Sequence, residues 1–421
     1  MPDARARRAV DHPLMRHVVF IAPYFGANIM SCLGALAGLE GVKLGIITHE
    51  VEARVPSSIR PRLSGHYRVT NTLDPAQLIE ATRAFQKEWG HVDRLLGYME
   101  EMQLPVARAR EALGIPGMDV ATATNFRDKN RMKETLARAG LPVARQALVT
   151  EAADALALVD AVGYPLVLKP LAGVGTRDTM RVSNDEDLYS ALERLLPSKE
   201  RPVQAEEFVQ GDEFTLETIS IGGQPVWHSS TYYLPGPLKV VENAWMQYCV
   251  LLPREALPPH AEGFRPTNAA ALSALGMQTG LSHMEWFQKP DGQAVISEVA
   301  ARPPGVNIMT MIGLAHGVDM WERWARLMVF EAFEIPERRF ACGSAFFRGH
   351  GPGRTVSAVE GLEAVIAELG DVVVSGNLPK VGQPRSSHYE GEGWVVVRHP
   401  DTAGVLDALR KLVTRTTIRY R

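Results

Sequence analysis

Residues 283–302 read HMEWFQKPDGQAVISEVAAR. Two runs rich in aromatic and β-branched residues flank Pro290-Asp291-Gly292, and Asp-Gly between such runs is a hairpin signal. A turn centred on Asp291-Gly292 sets Glu285 directly opposite Glu298. Pro290 has no N–H, so a wider even-numbered loop can replace the tight turn and keep that register, whereas a one-residue bulge slips it. Like charges facing each other across strands repel, and here each has apolar neighbours, Trp286, Ile296 and Val299. A divalent cation between the two carboxylates removes that cost, and hard oxygen ligands suit Mg²⁺ or Mn²⁺. Two solvated carboxylates on an edge hairpin are the plainer reading of the same residues. Arg302, four residues past Glu298, can stand beside such a cation and fork onto a carboxylate or phosphoryl oxygen. His283 shares the strand face of Glu285; a packed or hydrogen-bonded ring is preferred there to a metal ligand.

Working upstream, Tyr164 to Lys169 (YPLVLK) is an apolar strand ending in a lysine, so the Lys169 ammonium emerges at the strand's end. Gly173 and Gly175 follow, free to turn backbone N–H groups toward an anion, and Thr176 adds a hydroxyl. This is a phosphate cradle in outline but not a Walker A loop; a hairpin turn beside a surface lysine fits equally. Next, QAEEFVQGDEF (204–214) offers an extended backbone with apolar walls that suit a flat adenine, and Glu206 or Glu213 could accept from an amine or from ribose hydroxyls. An ordinary strand with solvated carboxylates is the alternative. Asp128 to Ala139 (DKNRMKETLARA) is an amphipathic basic helix closed by Gly140 and Pro142. The proline-rich run Pro253 to Pro266 reads as a loop. Thr231 to Tyr248, rich in aromatics with Lys239 and Glu242, reads either as the lining of an acceptor pocket or as a packed strand pair.

At the other end, His17 to Ala22 (HVVFIA) is a buried strand, Ile29 to Leu39 a small-residue helix, Leu44 to Thr48 a second strand, and Asp74 to Trp89 a helix with Asp74 as N-cap and Pro75 in its first turn. Strand, helix, strand, helix predicts a doubly wound parallel sheet. Its first turn, PYFGAN, lacks G-x-G-x-x-G, which argues against a dinucleotide cofactor. The uncharged run Val18 to Leu39 follows several arginines and also has the look of a signal peptide or a single span, but Pro23, Gly26 and Asn28 interrupt it, and strand–loop–helix is preferred.

The chain has 421 residues, 46% hydrophobic and 22% charged, enough for about three domains. A net charge of −3 supplies no strong basic field for nucleic acid. Three widely separated cysteines, Cys32, Cys249 and Cys342, form neither a zinc spacing nor a disulfide framework, which predicts a reducing, cytoplasmic setting. With Val18 to Leu39 read as strand–loop–helix, no membrane association is expected.

In order, the RDK helix start, the strand-end lysine with GVGT, EEFV-x-GDEF, HMEWF and EVAARPPG resemble the ATP-grasp superfamily, most nearly the carboxylate–amine ligases that include the amino-acid ligases. The likeness spans roughly residues 17 to 330. The tail from Phe346 to Val397 is similar to the small lobe that follows the grasp in biotin carboxylase and in formate-dependent purine transformylase. The resemblance implies α/β and α+β architecture: an N-terminal doubly wound, Rossmann-like pre-ATP-grasp domain (1–116), a two-lobed ATP-grasp domain (117–335, with a lid subdomain at about 143–208) and a small C-terminal α+β lobe (336–421). It implies Lys129 and Lys169 on the phosphates, with Gly173, Gly175 and Thr176 as the loop over them. It further implies Glu206 and Val209 at the adenine, Glu213 at the ribose, Glu285 and Glu298 on the metal, and Arg302 on the substrate carboxylate or acyl phosphate. The family's Glu-x-Asn-x-Arg is here Glu298-Val299-Ala300-Ala301-Arg302. Ala300 cannot ligate a metal, so a water or Asn307 is expected in place of the asparagine.

The implied activity is ADP-forming ligation with ATP and Mg²⁺ (or Mn²⁺). A small carboxylate such as an amino acid, phosphorylated to an acyl phosphate, is captured by an amine. An ATP-dependent carboxylase or formyltransferase, favoured by the tail, and a non-catalytic ATP sensor, favoured by Ala300, are the alternatives. A homodimer is the commonest assembly for such a chain.

Overall fold

Alternate residues of the first strand serve two different cores, which is what a strand inside a parallel sheet must do. A computed structural model describes residues 15–171 and 178–421. In it β1 (Arg16–Ile21) sends Val18 and Phe20 into one apolar cluster and Val19 and Ile21 into another. With β2 (Val42–Thr48), β3 (Gly65–Arg68) and β4 (Arg94–Leu96) it forms a parallel sheet of order β3-β2-β1-β4. Helices Ala27–Gly38, Pro75–Trp89 and Gln103–Leu113 accompany it. Asp74 caps the second helix by accepting from the Ala76 amide at 2.9 Å, with Pro75 in the first turn. The run Val18 to Leu39 is thus a strand and a separate helix, and no helix among the described residues is long and apolar enough to cross a membrane.

A second, antiparallel sheet holds β5 (Gln146–Val149), β6 (Leu166–Pro170), β7 (Met180–Val182) and β8 (Val203–Glu207) in the order β5-β8-β6-β7. Helices Ala152–Val162 and Asp185–Leu195 bury Ala155, Leu158, Leu188 and Leu192 against it. The largest sheet takes β9 (Asp212–Ile221), β10 (Gln224–Leu234), β11 (Tyr248–Leu252), β12 (Gly280–Gln288), β13 (Ala294–Ala300) and β14 (Ala341–Phe347). After β15 (Val356–Glu360) come β16 (Val373–Asn377), β17 (Gly393–His399) and β18 (Thr417–Tyr420). Eight of these make one sheet, β13-β12-β9-β10-β11-β14-β17-β16, and β15 pairs with β18. The C-terminal strands therefore extend the sheet that carries the 283–302 hairpin. β14 is joined to β11 residue by residue from Leu252↔Cys342 to Tyr248↔Phe346.

One local expectation is corrected. The run Pro253 to Pro266 is not all loop: a helix spans Pro259–Leu275 and carries Pro266 inside it. Proline removes one helix donor there, but the buried face of Ala261, Phe264, Asn268, Ala271 and Leu272 outweighs the loss, with Phe264 stacked on Trp286 at 4.1 Å. The basic helix is present as expected, Lys129–Arg138 between the caps Asp128 and Ala139, and a separate helix, Val120–Arg127, precedes it. Thr231 to Tyr248 is the end of β10, a short helix Pro237–Glu242, and the start of β11.

Candidate functional site

The hairpin that opens the sequence reading reaches its register by an indirect route. Gln288 pairs with Ala294, so the loop is five residues, Lys289 to Gln293, and it is closed by Lys289 N–H donating to Gln293 O at 2.8 Å. That odd-numbered loop shifts the register by one residue, and Trp286 pairs with Ile296. A bulge at Ser297 then shifts it back, and Glu285 faces Glu298. Without the bulge Glu298 would lie opposite Met284, on the other face of the sheet from Glu285. The two carboxylates thus share a face, each with about a quarter of its side chain open, 25% and 26%.

That face lines a cavity of about 370 Å³. Lys129, Lys169, Glu206, Val209, Glu213, Glu285, Glu298 and Arg302 all border it. Gly173, Gly175 and Thr176 lie outside the described residues. The walls come from every part of the chain: Tyr98 and Glu100 from the N-terminal unit, Val167 from the second sheet and Phe208 just past its strand β8, Phe287 and Ile296 from the hairpin, Tyr389 from the C-terminal segment.

Charge dominates its floor. Lys129 Nζ is ion-paired with Glu298. Lys169 Nζ lies 2.8 Å from Glu206 Oε1, and Lys133 Nζ 3.1 Å from Oε2 of the same carboxylate. Burial alone would raise the Glu206 carboxyl and lower both lysines; the two ammonium groups prevail and hold Glu206 below its ordinary range. Lys133 is left lowered by burial and by the nearby Lys169, whereas Lys169, which also feels Glu298, is raised despite burial. Against its burial, Lys129 and Lys169 draw Glu298 down to about 2. Glu213, on the same face of β9, is pushed well up by burial and by the charge of Glu285.

Glu206 is thus the common partner of two buried cations. Glu206→Ala is expected to destabilise the fold by about 3–5 kcal/mol, because it strands both lysines. Lys133→Met, which leaves Glu206 with Lys169 and with a 2.7 Å bond from Gln204, should cost much less. Denaturant unfolding measures both, and equal costs would remove Glu206 from this central position. Since the folded carboxyl is depressed, its contribution is present above the ordinary carboxylate range and fades as pH falls through the folded value.

Several neighbours were not singled out by the sequence reading. Glu100 Oε2 accepts from Arg302 Nε and Nη2 at 3.1 and 2.9 Å, while its other oxygen accepts from Arg127 at 3.4 Å. Tyr233 Oη donates to Glu285 at 3.2 Å. Glu217, at period-two spacing past Thr215 on β9, could have been found from Glu213; its carboxylate sits 2.9 Å from His283 Nδ1. His283 Nε2 lies 3.5 Å from Glu285, and although burial opposes it, the two carboxylates raise the imidazole to about 9. Lys133 falls one turn past Lys129 on the same helix, a spacing that could have singled it out.

Asn307, expected in place of the asparagine missing at position 300, does not border the cavity. Its amide donates to Ser344 Oγ at 3.0 Å, and Ala300, opposite His283 in register, borders the cavity instead. Of the Thr231 to Tyr248 stretch, Tyr233, Pro237 and Leu238 line the cavity, while Glu242 pairs with Arg181 at 3.0 Å.

Residues 134–316 match the ATP-grasp domain family. The chain carries an ATP-grasp domain. The match starts within the Lys129–Arg138 helix and includes Lys169, Glu206 and the whole hairpin. The chain is 27% identical to the L-arginine-specific L-amino acid ligase of Bacillus subtilis over 246 residues, which are 57% of this chain and 59% of that protein. It thus spans about three-fifths of that relative's length. Among solved structures, the L-amino acid ligase from Bacillus licheniformis superposes with a TM-score of 0.75 at 20% identity, over 96% of this chain and 99% of that one. The N5-carboxyaminoimidazole ribonucleotide synthetase from Thermotoga maritima superposes with a TM-score of 0.66 at 16% identity, over 97% of this chain and 100% of that one. Beyond the ATP-grasp residues, these likenesses place the N-terminal parallel sheet and the C-terminal strands in one shared fold.

Proposed function

We propose that the protein is an ATP-dependent carboxylate–amine ligase that joins an amino acid or similar small carboxylate to an amine, releasing ADP and phosphate. The observation that carries this reading is the cavity in which Glu285 and Glu298 face each other while Lys129 and Lys169 stand beside them on carboxylate partners. An all-oxygen pair of partly open carboxylates fits Mg²⁺ or Mn²⁺, and Glu285 and Glu298 are the residues that would hold it. When bound, the metal neutralises charge on the nucleotide phosphates.

The protein's own residues supply the rest. Lys129 and Lys169 present positive charge to the phosphates: Lys129 can leave Glu298 for a phosphate oxygen, and Glu206 keeps Lys133 as its partner when Lys169 turns to one. The Phe208 and Val209 wall packs against the base, with Glu206 beside it, and Glu213 meets the ribose. Arg302 orients the acid for in-line attack on the γ-phosphoryl group. The acyl phosphate so formed is sheltered from water by the apolar walls, and the amine attacks it. The three units, 1–116, 117–335 and 336–421, close around one cavity in this scheme.

The test is a phosphate-release screen of amino acids, singly and in pairs, with ATP and Mg²⁺. Release that requires a pair supports the ligase. Release with bicarbonate or formate and one metabolite would replace it by a carboxylase or formyltransferase, and nucleotide binding without turnover in any mixture would replace it by a sensor.

A further inference from the structure

A second cavity, of about 60 Å³, shares Arg302 with the first and lies between the N-terminal sheet and the ATP-grasp core. Arg94 and Arg110 reach it from one side, Thr279 and Glu331 from the other. Two of its three arginines have carboxylate partners. Arg94 Nη2 is 3.0 Å from Glu331, and its remaining donors reach the carbonyls of Met328 and Asp93. Arg302 is held by Glu100.

Arg110 is different. It is 6% exposed, on the buried face of helix Gln103–Leu113. Its Nε donates to Leu95 O at 2.8 Å. Gly117 passes so close that a Cβ there would stand 2.9 Å from that Nε. Among the described residues no carboxylate pairs with its guanidinium, and its two Nη groups have no protein acceptor. The one acid lining the cavity, Glu331, is taken by Arg94. Burial and the neighbouring Arg94 lower Arg110 to about 10, so it keeps its charge at neutral pH. A desolvated cation without a counter-charge is strongly unfavourable.

We infer that this cavity binds a small oxyanion, either a carboxylate-type anion or inorganic phosphate, on the Nη edge of Arg110. A single water needs about 10–15 Å³, so the cavity has room for one such anion. A planar fork of donors is the arrangement that two oxygens of an oxyanion satisfy together. Water alone would solvate the guanidinium without neutralising it. Apart from Arg302 its lining is its own, and the inference does not depend on the reaction proposed for the first cavity.

Calorimetric titration of the full chain at constant ionic strength, with chloride as the reference anion, tests this. Inorganic phosphate, acetate and bicarbonate are the probes, and the one that binds identifies the source. The expected result is saturable one-to-one binding of at least one of them, retained in Lys169→Met and weakened about tenfold or more in Arg110→Met. Should Arg110→Met fail to fold, Arg110→Lys keeps the charge and loses the fork, and weaker binding is again expected. No saturable binding of any probe, or binding that survives both Arg110 substitutions and disappears in Lys169→Met, overturns the inference.

Discussion

Glu298→Gln is expected to lower ATP-dependent product formation about a thousandfold and to raise the Mg²⁺ concentration needed for half-maximal rate. Glutamine keeps the shape of the side chain and removes one negative charge. In the folded chain Glu298 is drawn down to about 2, so it is fully ionised at neutral pH and its charge is available to a metal. Loss of one anionic ligand removes several kcal/mol of electrostatic stabilisation, and about 1.36 kcal/mol is a factor of ten in rate. The substitution also leaves Lys129, which is 7% exposed, without its carboxylate. A moderate loss of stability is therefore expected alongside the kinetic effect, and circular dichroism separates the two. A folded Glu298→Gln protein with wild-type kcat and unchanged Mg²⁺ dependence would falsify the metal assignment.

Arg302→Met is expected to reduce kcat/KM for the carboxylate substrate by about two to four orders of magnitude while changing KM for ATP little. Each hydrogen bond to a charged group contributes about 1.5–3 kcal/mol, and a guanidinium fork makes two. In the folded chain its Nε and Nη2 both donate to one oxygen of Glu100, so this edge of the guanidinium already serves a carboxylate. Glu100 keeps its contact with Arg127 in the variant, which limits the structural damage. Arg302→Lys retains the point charge and should fall between wild type and methionine. Equal losses in ATP and acid binding would mean that Arg302 serves the fold rather than the acid. A split between the two substrates is what the proposed role requires.

Much of the cavity was legible because its parts obey local rules. The extended run QAEEFVQGDEF brings Glu206 and Glu213 to the cavity, and the run YPLVLK delivers Lys169 to the end of a buried strand. Asp-Gly marks the hairpin. The helix through Pro266 was missed because a proline cluster is a local signal for a loop, while the burial of Phe264 against Trp286 is a tertiary one. Lys133 was missed because a lysine on a basic helix looks solvated until Glu206 arrives from another sheet.

From its sequence alone, this protein specified the doubly wound start, the hairpin near Asp291-Gly292 and the residue types that converge on one cavity, since turn chemistry and hydrophobic period act over a few neighbours. Which face Glu298 occupies was decided by packing: a five-residue loop displaces the register and a bulge at Ser297 restores it, two opposite shifts that no local pattern announces. The partners of the charges were likewise decided only in three dimensions. Arg302 finds Glu100 across 202 residues of chain, and Arg110 meets no carboxylate at all among the described residues. Coulombic pairing depends on distance in space, and sequence separation carries no record of it.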